Sequence, residues 1–193
     1  MLSLLPLALA QDLAPDEPTD KAERPVAAYA VPLLSYDSNL LFGYGAYGQA
    51  VIIDPSGQEP YRASVDMQLY WTTGGYRNHY LRMDLPALAG SRFRVGLEGR
   101  RVLWSRAPYM GIGGVAPLTE GVADEYYLYA QERHFLRASL RTTLSERVEL
   151  LTLFDIRKEV VEPYADSLLL EQRPTGLEGG RYAWAALGVI VEE

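Results

Sequence analysis

The chain contains no cysteine, so a disulfide framework and a thiolate-ligated metal centre are both excluded. Lysine is nearly absent too. Lys21 and Lys158 are the only two, and the other basic residues among the 18 are arginines. Against 25 acidic residues this leaves a formal net charge of -7, which argues against a nucleic-acid partner, since a phosphate-binding surface needs clustered excess Lys and Arg. No stretch approaches the roughly 20 consecutive apolar residues of a membrane-spanning helix. If the chain enters a membrane, it must do so as strands. Phe is scarce, 4 residues against 14 Tyr and 3 Trp, so most rings carry a polar handle suited to an oil-water boundary. The preference for arginine suits ion pairs in partly dehydrated places, because a guanidinium is weakly hydrated and binds a carboxylate through two hydrogen bonds.

Residues 2–10 (LSLLPLALA) form a short apolar run ending in Ala8-Leu9-Ala10, a small-x-small cleavage pattern followed by Gln11 and acidic residues. This reads as the end of a secretory signal peptide over residues 1–10, although no Lys or Arg precedes the run. Residues 11–25, rich in Pro, Asp and Glu, read as a disordered acidic linker on the periplasmic side. Residues 26–193 read as one domain of strands.

The clearest strand is residues 61–72. Tyr61, Ala63, Val65, Met67, Leu69 and Trp71 share one parity, and Arg62, Ser64, Asp66, Gln68, Tyr70 and Thr72 share the other. A strand of this kind has an oily face and an ionic face, the pattern of a membrane barrel wall. Seven more strands follow the same logic, over residues 27–35, 40–53, 76–85, 92–105, 126–144, 148–160 and 181–191. A phase slip is expected at Gly99-Arg100-Arg101, and a helical turn at residues 166–170. The fold class is therefore all-β, with about eight antiparallel up-and-down transmembrane β-barrel strands.

The two longest connections, residues 107–124 and 162–180, fall at one end, and the turns at Asp54, Ala89 and Ser145 fall at the other. Long loops outside and short turns inside are the asymmetry of outer-membrane barrels. A soluble lipocalin-like barrel also alternates, with its apolar face inward. Long strands, Tyr and Trp near strand ends, and opposed charges at mid-strand such as Arg82 with Asp84 or Arg157 with Asp155 favour the membrane. Solvated surface pairs are the alternative for those charges.

Pro32-Leu33-Leu34-Ser35-Tyr36, Phe42-Gly43-Tyr44-Gly45, Pro60-Tyr61-Arg62, Thr72-Thr73-Gly74-Gly75 and Tyr109-Met110-Gly111-Ile112-Gly113-Gly114, taken in order and spacing, resemble the start of the barrel in BamA/TamA-type outer-membrane proteins, the bacterial surface antigen family. The resemblance runs from about Pro25 to the end. It implies a sixteen-strand barrel in the bacterial cell outer membrane and a role in inserting or translocating outer-membrane proteins or lipids. The chain departs from the family in lacking a periplasmic receiving module, in having half the strands, and in ending Ile190-Val191-Glu192-Glu193 with no terminal aromatic residue. It is thus expected to be the N-terminal half of such a barrel, a truncated or split product. A complete small structural or pore-forming barrel is the alternative. Outer-membrane lipid and nascent outer-membrane proteins are the expected partners, with edge-to-edge self-association if the barrel is incomplete.

Enzymatic chemistry finds little support. His79 and His134 have polar neighbours, and Ser139 lies five residues from His134 on the opposite parity, too far along one strand for a hydrogen bond. Glu162 with Asp166, or Asp124 with Glu125, offers too few oxygens for a hard cation. Gly113-Gly114 lacks the lysine and the following helix of a phosphate loop. No catalytic, cofactor-binding or metal-binding residue is expected.

Overall fold

The computed structural model describes residues 26–53, 61–86, 88, 92–114 and 122–191. The expectations for residues 1–25, for the turns at 54–57 and 89–91 and for residues 192–193 lie outside the described residues.

Eight strands run in chain order: β1 (Val26–Asp37), β2 (Leu41–Ile52), β3 (Ala63–Thr72), β4 (Tyr76–Leu85), β5 (Phe93–Pro108), β6 (Leu128–Ser145), β7 (Val148–Pro163) and β8 (Gly180–Val191). Each pairs antiparallel with the next in a single sheet whose order is the chain order. β1 and β8 form its two edges, so the sheet is open.

Local chemistry accounts for the strand ends. β1 runs on through Asp37, whose Oδ1 accepts from the Asn39 and Leu40 amides at 2.8 and 3.1 Å, an Asx turn that reverses the chain. Leu41 takes up the bend with φ 62°. β6 begins two residues later than its pattern suggests, because Tyr126 and Tyr127 belong to a 3₁₀ turn, Asp124–Tyr127. In β2, a Cβ at Gly43 would collide with the Tyr70 hydroxyl and one at Gly45 with the Leu69 carbonyl. Glycine there lets strand and ring close together.

The expected slip at Gly99-Arg100-Arg101 is corrected by the register. Gly99, Arg100 and Arg101 pair without interruption with Leu136, Phe135 and His134, and the irregularity lies between Trp104 and Ala107. The helical turn forms at α1 (Leu168–Gln172), slightly later than expected. Its start is set by Ser167, whose Oγ accepts from the Leu170 amide at 3.4 Å.

Burial is inverted relative to an ordinary globular sheet. Among the described residues the buried hydrophobic side chains are Ala107, Tyr127, Leu168 and Leu169, all at the end that carries the long connections. Away from that end the buried side chains of the strands are polar, among them Ser64, Asp66, Glu98 and Asp155. The apolar parity is open, with Leu34, Leu136 and Leu187 at 72%, 56% and 73% exposure.

Candidate functional site: the enclosed polar face

Alternation assigns every strand residue to one of two faces. Ser64, Asp66, Gln68 and Tyr70 of β3 stand opposite Asp84, Arg82, Tyr80 and Asn78 of β4. Those four stand opposite Gly96, Glu98, Arg100 and Val102 of β5. The row continues through Ser139, Arg137, Phe135 and Arg133 of β6 to Leu153, Asp155, Arg157 and Glu159 of β7. The sheet curls around this face. A cavity of about 340 Å³ reaches from Gln49 of β2 to Arg137 and Ser139 of β6, past Asp66, Asp84 and Glu98.

The charges on this face are matched. Arg94 grips Asp84 through Nε at 2.9 Å and Nη2 at 2.8 Å, and the Tyr61 hydroxyl donates to the same carboxylate at 2.5 Å. Glu98, 8% exposed, accepts from Arg82 at 3.1 Å and from Arg100 at 2.8 Å. Asp155, fully buried, accepts from Arg157 Nε at 2.6 Å and from Arg137 at 3.0 Å. Rings join these clusters laterally. The Arg100 guanidinium lies 5.0 Å from the Tyr80 ring centre and 5.1 Å from that of Phe135, with Arg157 5.5 Å from Phe135 on the other side. Paired ions and cation–π contacts of this kind are strongest where water is partly excluded.

Of the two mid-strand pairs read from the sequence, Arg157 with Asp155 forms. Arg82 with Asp84 does not: Arg82 turns to Glu98 and Asp84 to Arg94 across the strands. Arg82 takes the directly opposed Glu98, whereas Asp84 stands opposite Gly96, which offers no side chain, and takes the diagonal Arg94. Three further polar atoms on this face, Asn78 Oδ1, Arg100 Nε and Trp104 Nε1, are buried with no protein partner. They lie toward the long-loop end, where a smaller cavity of about 180 Å³ is lined by Asn78, Arg100 and Arg157.

Ser139 faces inward, its Oγ donating to the Gly96 carbonyl at 3.5 Å, while His134 faces outward and contacts Glu132 at 2.9 Å. The structure therefore keeps them apart, as parity requires. His79 also faces outward, its ring 4.7 Å from Trp71. Glu125 reaches Arg106 at 3.7 Å, and Asp166 sits in a turn with φ 58°. No group of three or more metal-ligating side chains occurs among the described residues.

The long connections pack together at one end. The Tyr109 hydroxyl and the Ile112 amide both donate to Gln172 Oε1 at 3.0 Å, and Tyr126 donates to Glu171 at 2.7 Å. Tyr164 donates to the Ser105 carbonyl. Leu168 and Leu169 of α1 are buried there. No family model, no curated protein and no solved structure matches the chain.

Proposed function

We propose that the chain is the wall of an outer-membrane β-barrel of the BamA/TamA type, acting in the insertion or translocation of outer-membrane proteins or lipids. One observation carries the membrane part: the strands bury Asp66, Glu98 and Asp155 and expose Met67, Leu81, Leu97, Leu136, Phe154 and Leu187. A sheet with its ions enclosed and its oil outside has the polarity of a barrel in lipid, the reverse of a lipocalin-like barrel in water. On β6 the outward side chains Leu136, Ala138, Leu140, Thr142 and Leu144 span about 26 Å along the strand at about 3.3 Å per residue. With a strand tilt of about 40° this rises about 20 Å, most of the apolar band of about 25 Å in outer-membrane barrels.

The family assignment rests on the ordered motifs in β1 to β4 and in the 109–114 segment. It makes lipid the solvent of the outward face and nascent outer-membrane proteins the cargo. The two open edges are the natural site of strand addition or self-association, since unpaired backbone groups find no partner in hydrocarbon.

Fractionation of cells making the chain with an intact signal tests the membrane reading. Recovery from the outer membrane, with a gel mobility that changes on boiling, is expected; recovery from the soluble periplasm overturns it. Vesicles carrying the chain should accelerate the folding of a second, urea-unfolded outer-membrane barrel. Insertion with ion conductance and no such acceleration would instead identify a pore-type barrel.

A further inference from the structure

The outward face carries one feature that an oily wall does not need. His79 of β4 stands opposite Arg101 of β5, Arg101 opposite His134 of β6, His134 opposite Lys158 of β7, and Lys158 opposite Arg181 of β8. All five share the parity of the apolar face. The neighbouring row toward the short-turn end is Leu81, Gly99, Leu136, Ile156 and Ala183. The basic row thus borders the apolar band on the side of the long connections, the level at which headgroups meet acyl chains.

Part of the row is neutralised within the protein. Glu132 accepts from Arg101 at 2.6 Å and from His134 at 2.9 Å, and His79 rests against Trp71. Lys158 and Arg181 differ. Both are exposed, and neither side chain has a hydrogen bond or ion pair among the described residues. Like charges directly opposed across an antiparallel pair repel, so this juxtaposition lacks its counter-charge. The aliphatic stems can lie along the wall while the charged heads reach the boundary.

We propose that Lys158 and Arg181, flanked by His134, bind the phosphate of an anionic lipid headgroup in the leaflet next to the long connections. The inference rests on the membrane reading above. A phosphate between the two cations accepts hydrogen bonds from both and removes their opposition, the guanidinium offering a two-pronged grip and the ammonium a point charge. A lipid fits better than a free phosphate because Ile156, Ala183, Phe154 and Ala185 continue directly below as an apolar track for acyl chains.

The test reconstitutes the full chain in phosphatidylcholine vesicles doped with phosphatidylglycerol, extracts it in mild detergent and counts retained phosphatidylglycerol by native mass spectrometry. Each cation near an anionic surface is worth about fivefold, so Lys158→Gln/Arg181→Gln should retain roughly twentyfold less or lower still. Lys158→Glu supplies an internal partner for Arg181, so it should insert normally and lose the lipid as well. Equal retention by the wild type and both variants overturns the site. So does displacement of the lipid by millimolar inorganic phosphate, which would make the site one for a free anion. Failure of the wild type to enter these vesicles overturns the membrane reading itself, and the site with it.

Discussion

At the scale of single residues, parity decides what a substitution costs. Met67 is outward and about half exposed, whereas Gln68 stands inward opposite Tyr80. On the proposed membrane reading, Met67→Arg should therefore destabilise the inserted protein by about 2–4 kcal/mol, the usual cost of arginine on a lipid face near the midplane. Gln68→Arg, close to Asp66, should cost little, and urea unfolding in lipid vesicles measures both. A soluble protein exposing the same side chains would tolerate Met67→Arg equally well. Asp155 offers a second case. Asp155→Asn leaves Arg137 and Arg157 facing each other without their shared anion. Because both arginines are about a third exposed, 37% and 34%, the 3–5 kcal/mol for breaking a dry pair falls to about 2 kcal/mol. A thermal midpoint measured in detergent should drop accordingly, and a change within error would show that the cluster is solvated. Residue-level reading from sequence failed in one instructive place. Arg100 and Arg101 are adjacent charges, so a strand with one ionic face holds both only with a slip. In the fold the alternation holds: Arg100 turns in between Tyr80 and Phe135, and Arg101 turns out to Glu132. The outward row is not legible from one strand at a time, because it arises only when register sets His79, Arg101, His134, Lys158 and Arg181 side by side.

At the scale of elements, strands were legible and the loop cluster was not. Eight alternating runs with turn formers between them specify order, direction and facing, which explains why β4 has the limits its pattern predicts. The packing of α1 against Tyr109, Ile112 and Tyr126 depends on contacts far apart in sequence, such as Tyr109 with Gln172, and no local pattern encodes them. This cluster holds the buried apolar groups Leu168 and Leu169, so it should behave as a small unit separable from the sheet. Leu169→Ala should cost it about 2–5 kcal/mol. The expected readout is faster proteolysis within residues 109–127 and 164–179, with the sheet's unfolding midpoint nearly unchanged; a fall in that midpoint would show that the cluster and the sheet unfold together. The cluster also has a pH dependence. Tyr126 donates to the Glu171 carboxylate, and that bond holds the phenol above its ordinary pKa. The contact is present below the pKa of a free tyrosine and is lost as pH rises through the raised value. Protease sensitivity should rise in that alkaline range, and Tyr126→Phe should abolish the step.

At the scale of the whole molecule, the open sheet poses a question of closure. β1 and β8 each expose one row of backbone donors and acceptors over 12 residues, and in hydrocarbon each unsatisfied group costs several kcal/mol. The two edges stand at opposite ends of the strand order and do not pair with each other. Chain direction allows a specific remedy. β1 runs toward the long-connection end and β8 runs away from it, so β8 of one copy and β1 of a second meet antiparallel, and a two-fold axis makes both junctions at once. Two eight-stranded sheets would then close a ring with no free edge. The sequence has no cysteine, so introduced thiols report this arrangement cleanly. Chains carrying Ala185→Cys together with a cysteine at one of Ala28, Ala30 or Pro32 should give a disulfide-linked dimer in vesicles for at least one position. A bridge needs Cα atoms within about 7 Å, so the position that reacts also sets the register. A cysteine pair at Met67 and Ala185, away from the β1 edge, should stay monomeric. If every β1 position leaves the chain monomeric while insertion is intact, the edges are closed by strands other than those of a second copy.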